Sequence, residues 1–458
     1  MKRALFPLVI VALTLVGAGC LNGQPKMTPV TLEYWRMEDD PSDLDPVIAA
    51  YRETHPQVTV NVTRFPREDY RKTLLTALAE GRGPDMFNVP HAWLRGWMKK
   101  ISPMPAERSV VERTADESGQ PVNVVRKKPA MSLLQLDRDF AEVAAKAVVF
   151  EVITDEKANT RERQVFALPF SADTLAMYYN RDLLRNANIG EPPKTWAQLQ
   201  EQAAILSRKG EDGKLEQSGA ALGWSNVGRN TELLAALMAQ NGAPMNNAGR
   251  PYFWSAPAKW DRGTLPGVEA LGFYRSFSDP NSSNRSWDRD FSNDLDTFIA
   301  GRTAYYFGLP EDAKRIRAMA PRLDLGVAPL PQIKADRRIN IPLFPVETVS
   351  KDSRYPGYAW DFLEFAASAD QVRGFLSSSG RPAALRDLIE EQRGDAAVGP
   401  FVGQVLTAES WYLGYDYAKT ESLFRDMVET EPSRENTYVK ILTEYGSQVS
   451  RTYVAPNY

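Results

Sequence analysis

The chain has 458 residues, 43% hydrophobic and 25% charged, as in an ordinary globular protein. Its 55 basic and 58 acidic residues leave a formal net charge of −3, with no long block of one sign, so nothing in the charge pattern supports nucleic-acid binding. The chain is too long for one compact core, which predicts two domains, and its single cysteine allows no internal disulfide.

Lys2 and Arg3 open the chain, an apolar run follows from Ala4 to Val16, and Gly17-Ala18-Gly19 lead to Cys20. A charged start, an apolar middle and small residues at the exit predict a secretory signal peptide over 1–19. A cysteine just after the cut resembles a bacterial lipoprotein signal, in which Cys20 receives the lipid and 20–29 form a linker; Gly17 departs from the bulky aliphatic residue usual there. No second stretch is apolar enough to span a membrane, since Glu142, Lys146 and Glu151 interrupt Ala141–Ile153.

Val30–Trp35 reads as a strand. Asp45-Pro46 starts a helix, with Asp45 as cap, Pro46 preset for its first position and His55-Pro56 as its end. Val58, Val60 and Val62 alternate as in a half-buried strand, a helix covers 67–80 with Gly81 as its stop, and Asp85–Val89 is a third strand. Alternating strands and helices predict an α/β sheet with parallel pairing. A short strand is expected at Val122–Val125, a helix over Asp137–Ala147 and a solvated charged stretch over Asp155–Arg163. Further on come a strand Thr174–Tyr179 and a helix capped by Thr195 with Gln198 in a capping box, ending at Gly210. A strand at Ala220–Gly223, a helix face of Leu295, Phe298 and Ile299, a strand Thr303–Phe307 and a helix Pro356–Ala367 complete the reading.

Four segments together resemble the extracellular solute-binding proteins of ABC importers, of the maltose-binding, carbohydrate type. They are Leu32–Trp35 with His55-Pro56 and Val58–Val60; Gly81–Phe87; Leu168-Pro169-Phe170 through Leu184, with Pro192–Trp196; and Phe298–Ala304 with Pro329-Leu330-Pro331. The resemblance covers roughly residues 30–450. It implies an α/β, type II periplasmic-binding-protein fold of two lobes around a ligand cleft, joined by about three crossings. An N-lobe would combine 30–170 with 331–385, and a C-lobe 171–330 with 386–458. It also implies a monomer that carries a solute, most simply a sugar, to an ABC permease outside the cytoplasmic membrane. A glycosidase, another polar solute and a sensor subunit are the competing readings.

Sugar binding calls for aromatic faces against C–H faces and polar side chains for the hydroxyls. Trp35 and Arg36 stand at the carboxyl end of the first strand, before Glu38-Asp39-Asp40, where ligands of open α/β sheets bind; a solvated acidic loop is the alternative. By resemblance, Asp39 and Asp40 fall where maltose-binding proteins place polar contacts, and Asp173 matches a sugar-contacting carboxylate at the lobe crossing. The family's stacking Trp and contacting Asp align with Val89 and Ala92 here, which puts maltodextrin specificity in doubt. His91 and Trp93 follow at the same edge. Trp224 and Asn226, with Arg229 and Asn230 behind them, end a strand of the other half. Glu311 stands where the family stacks a Trp, and Trp287, Trp411 or Tyr412 could replace that platform; for each of these Trp and Tyr residues core packing is the competing reading. Two histidines and one cysteine cannot build a His-rich metal cluster, and no GxSxG, HExxH or GxxxxGK[ST] string occurs, so no catalytic residue, metal or cofactor is expected.

Overall fold

The computed structural model describes residues 24–455 apart from 156, 248, 258, 259, 261, 262 and 335. Cys20 and the expected signal segment lie outside the described residues. The strands in chain order are β1 (Val30–Met37), β2 (Val58–Phe65), β3 (Met86–Pro90), β4 (Ile101–Ser102), β5 (Glu107–Ala115), β6 (Pro121–Pro129), β7 (Val149–Asp155), β8 (Thr160–Val165), β9 (Ala176–Asn180), β10 (Arg208–Lys209), β11 (Leu215–Ala220), β12 (Thr303–Gly308), β13 (Leu325–Pro329) and β14 (Pro345–Ser350).

They form two five-stranded sheets, β2-β1-β3-β14-β4 and β10-β11-β12-β9-β13, and two hairpins, β5–β6 and β7–β8. The parallel pairing expected from β-α alternation holds for β1 with β2 and β3, and for β11 with β12. It does not hold throughout: β14 runs antiparallel to β3, and β9 runs antiparallel to β12 and β13, so both sheets are mixed. These exceptions enter their sheets from a crossing between the two halves, not from a neighbouring helix, so no β-α-β unit imposes parallel order on them.

One hydrophobic core packs the first sheet and gathers residues from Val30 to Ala172 and from Phe344 to Val405. A second packs the other sheet, mostly from Leu175 to Leu343 and from Trp411 to Val449. The chain thus passes between two lobes near 173, near 343 and between Val405 and Trp411. No helix among the described residues is long and apolar enough to cross a membrane.

Local chemistry accounts for most of the element ends. Thr195 caps helix Trp196–Leu206 with the expected reciprocal bonds to Gln198. That helix stops at Leu206 instead of reaching Gly210, because Arg208–Lys209 pair with β11. The helix expected over 137–147 is two helices, Leu133–Asp139 and Glu142–Ala147. Phe140 between them takes extended backbone and bridges to Leu385, which buries its ring and breaks the helical ladder. Asp155–Arg163, expected as a solvated stretch, is the tip and outer strand of hairpin β7–β8, exposed along most of its length. The strand expected at Ala220–Gly223 is β11, which ends at Ala220; Gly223 has φ 104°, outside strand geometry. Asp45, read as a cap, is the first residue of helix Asp45–Thr54, because a 3-10 turn at Pro41–Leu44 precedes it.

Candidate binding site between the lobes

A chain of buried charges runs from the first lobe to the second. β1 places Tyr34 and Arg36 on one face, where β14, two strands away, presents Glu347. The Arg36 guanidinium is fully buried, 2.9 Å from Glu347 and 2.9 Å from Asp39, with the Phe375 ring centroid 4.9 Å away. The Tyr34 hydroxyl donates to the other Glu347 oxygen.

The hub is Arg381, which the sequence reading did not single out. Helix Ala369–Ser379 ends at Gly380, whose left-handed backbone (φ 72°) turns the chain and aims Arg381 into the cleft. Its Nε and Nη2 donate to Asp39 at 2.9 and 2.7 Å, and Nη1 donates to Asp173. Nη1 also lies 3.6 Å from Glu311, which follows β12 in the second lobe. One guanidinium therefore touches its own lobe, the first crossing and the opposite lobe. The Arg381 fork is suited to this because it offers several donors in a fixed plane.

The acids outnumber the cations in this cluster, with Asp39, Asp173, Glu311 and Glu347 against Arg36 and Arg381. Burial would raise every carboxyl. For Asp39 the two flanking arginines outweigh burial and hold it below its usual range. For Asp173 burial dominates Arg381, and its carboxyl is pushed up to about 7. Glu347 is raised for the same reason. Asp173 Oδ1 and Glu311 Oε2 are buried without a hydrogen-bond partner among the described residues. Both residues line a small space between the lobes, closed by Glu38, Leu343, Phe344 and Arg381, with about 20 Å³ open to water.

The other sequence candidates separate into three groups. His91 lies at the edge of this site, its ring stacked 4.4 Å from Phe344, and burial lowers it to about 4, so it is a neutral imidazole. Trp35 points to the other face of β1 from Arg36 and packs on Phe65, centroids 4.5 Å apart. Asp40 caps the turn Pro41–Leu44 by accepting from Ser42, and Trp93 stacks on Trp97. Trp224, Asn226, Trp287, Trp411 and Tyr412 lie in or against the second core. Two arginines cover Trp224, with Arg289 3.8 Å from its ring centroid. Asn226 spends its amide on the carbonyls of Asp288 and Phe291 and accepts from the Trp287 indole. Trp411 packs on Tyr412, Tyr417 and Phe424.

Among the described residues, one set has the makings of a cation site: His55, Glu112 and Asp361, whose ligand atoms lie within 4.8 Å of one another. It is already filled by side chains. Lys128 sits 3.0 Å from Asp361 and also pairs with Glu112, while Arg108 Nε donates to Asp361 at 3.0 Å. This cluster pins hairpin β5–β6 to helix Pro356–Ala366.

Residues 34–373 match the model of the bacterial extracellular solute-binding protein family. The chain belongs to this family. It is 23% identical over 325 residues to the maltotriose-binding protein of Pyrococcus abyssi, covering 68% of this chain and 57% of that one. It is 24% identical over 251 residues to the maltodextrin-binding protein of Bacillus subtilis, covering 52% and 54%. The chain spans about half the length of the curated relatives it matches. An ABC transporter solute-binding protein of Thermotoga lettingae, solved with α-D-tagatose, has the same fold: TM-score 0.67 at 17% identity, over 93% of this chain and 100% of that one.

Proposed function

We propose that the protein captures a carbohydrate between its two lobes and delivers it to an ABC permease, tethered to the outer face of the cytoplasmic membrane through Cys20. The observation that carries this reading is the space between the lobes, where Asp173 and Glu311 present unpartnered acceptors beside the donors of Arg381. Hydroxyl-rich solutes supply donors and acceptors together, and desolvated polar groups are costly unless paired. The family and the sugar-binding relatives support the same reading.

In the described conformation the lobes meet at Arg381 and Glu311. A space of about 20 Å³ holds a water, not a sugar ring, so solute enters with the lobes apart and closure follows. The reading is capture and release, in which Asp173, Glu311 and Arg381 bind without forming a covalent intermediate. A thermal-shift screen of a sugar library tests it, since a ligand at about 100 times its Kd adds about 2.7 kcal/mol to the folded state. Asp173→Asn should abolish the shift given by whichever sugar scores. Turnover of an oligosaccharide by the purified protein would replace the reading with a glycosidase. Anchoring is tested separately, because Cys20→Ser should release the exported protein from the membrane.

A further inference from the structure

We infer that the solute carries an anionic group, a carboxylate or a sulfate ester, which docks in a second, cationic groove at the rim of the cleft. The inference rests on the carbohydrate reading above and adds the charge class of the sugar.

The groove encloses about 480 Å³ and has walls from both lobes. Arg71 and Lys100 come from the first lobe, Lys419 and Arg451 from the second, and Asp416 is the sole acid among its lining residues. That carboxylate is engaged locally: it caps helix Tyr417–Glu429 by accepting from the Lys419 backbone N–H. None of the four basic side chains has an ion-pair partner among the described residues. By contrast Arg67 and Arg381, which line the inner space, each face a carboxylate.

The groove lies one helical turn from the inner space. Arg67 lines the inner space and Arg71 lines the outer groove, and both lie on helix Arg67–Ala79 four residues apart, hence on one face. A ligand with hydroxyls at Asp173 and Glu311 can therefore extend along this helix to the rim. The groove also bears on closure. Like charges from opposite lobes repel as the lobes approach, so the empty groove opposes the closed state. An anion seated among them reverses that sign and stabilises the closed state alone, the condition under which a ligand drives a conformational change.

The test is calorimetry with maltotriose carrying one terminal glucuronate, the methyl ester of that uronate, maltotriose monosulfated on the same terminal residue and maltotriose itself, at 20 and 300 mM salt. The acidic sugars should bind at least tenfold more tightly than the ester and maltotriose, with the preference shrinking at high salt. The sulfated and carboxylated arms separate the two sources of charge. Lys419→Ser with Arg451→Ser should remove the preference, and Lys419→Arg should keep it. Because both side chains are exposed and unpaired, the double variant should melt no lower than wild type without ligand. Equal affinity for the singly acidic sugar and its ester, or a preference that survives the double variant, would overturn the inference and leave the carbohydrate reading standing. Binding of none of the four would overturn the inference, while the carbohydrate reading falls only if the sugar library also gives no shift.

Discussion

Gly96 offers the most direct test of closure. It lies in helix Leu94–Trp97 of the first lobe, where a Cβ would stand 2.1 Å from the Tyr415 carbonyl oxygen of the second lobe. Ordinary contact begins near 3.4 Å, so Gly96→Ala must push the two lobes apart by about 1.3 Å, the difference between those distances. Tyr415 cannot easily yield, because its N–H bonds the Thr452 carbonyl at 2.8 Å and Arg95 covers its ring. Forcing one methyl into such a contact costs about 1–3 kcal/mol. The whole cost falls on the closed form, so solute affinity should drop roughly five- to 150-fold. The open form has no clash, and alanine is about 1 kcal/mol better than glycine in a helix interior. Melting without ligand should therefore be unchanged or slightly higher. Calorimetry gives the affinity, and solution scattering should show the variant failing to compact with ligand. Wild-type affinity with full compaction would refute the claim that these backbones meet when solute is held.

Arg381→Met should cost about 3–5 kcal/mol in urea unfolding, since it leaves Asp173 buried without its cation and Asp39 with Arg36 alone; Arg381→Lys should recover little, lacking the planar fork. His91 titrates at about 4 when folded against an ordinary 6.5, so its contribution is present above 6.5 and lost as pH falls toward 4. His91→Gln should flatten that acid limb of the stability curve. Asp173 behaves oppositely: raised from 3.8 to about 7, it favours the fold below 3.8 and that contribution is lost as pH rises through 7. Asp173→Asn should therefore gain relative to wild type between pH 5 and 8 in pH-resolved urea melts.

Several elements of both lobes were legible because local signals and the fold agreed there. The alternation at Val58–Val62, the Thr195–Gln198 box and the run Gly81–Phe87 each specify one element, and each forms. What failed was set by distant contacts: the break at Phe140 depends on Leu385, and the antiparallel entry of β14 depends on a crossing near 343. The site was partly legible. Arg36, Asp39, Asp173 and Glu311 come together, drawn by strand-end position and by resemblance. Arg381 and Glu347 were missed because they lie over 300 residues from Asp39 and Arg36. Yet each had a signal. Glu347 is the lone acid in the apolar strand Pro345–Ser350, and a buried acid needs a partner. Arg381 follows a helix-ending glycine and precedes an apolar run, a position that places a charge against a core. Trp224 and Trp411 show the converse: abundant aromatics were read as possible platforms, but a large ring buries more area in a core than at a cleft rim.

The two charged regions of the cleft have opposite signs, and this orders the ligand as well as attracting it. The inner cluster sets four carboxylates against two guanidinium groups, while the rim groove sets four basic side chains against Asp416. An acid group driven inward would meet Asp173 and Glu311 in a desolvated space, where like charges at close range cost several kcal/mol. The same group at the rim meets four basic side chains and one carboxylate, Asp416, which is engaged with its own helix. A neutral hydroxyl tolerates either position. The gradient therefore fixes which end of an acidic sugar enters first: hydroxyls toward Asp173, acid toward Lys419 and Arg451. Moving the charge should then matter more than adding it. An oligosaccharide with its acid at one end should bind in one orientation, and a sugar acidic at both ends should bind more weakly than one acidic only at the rim.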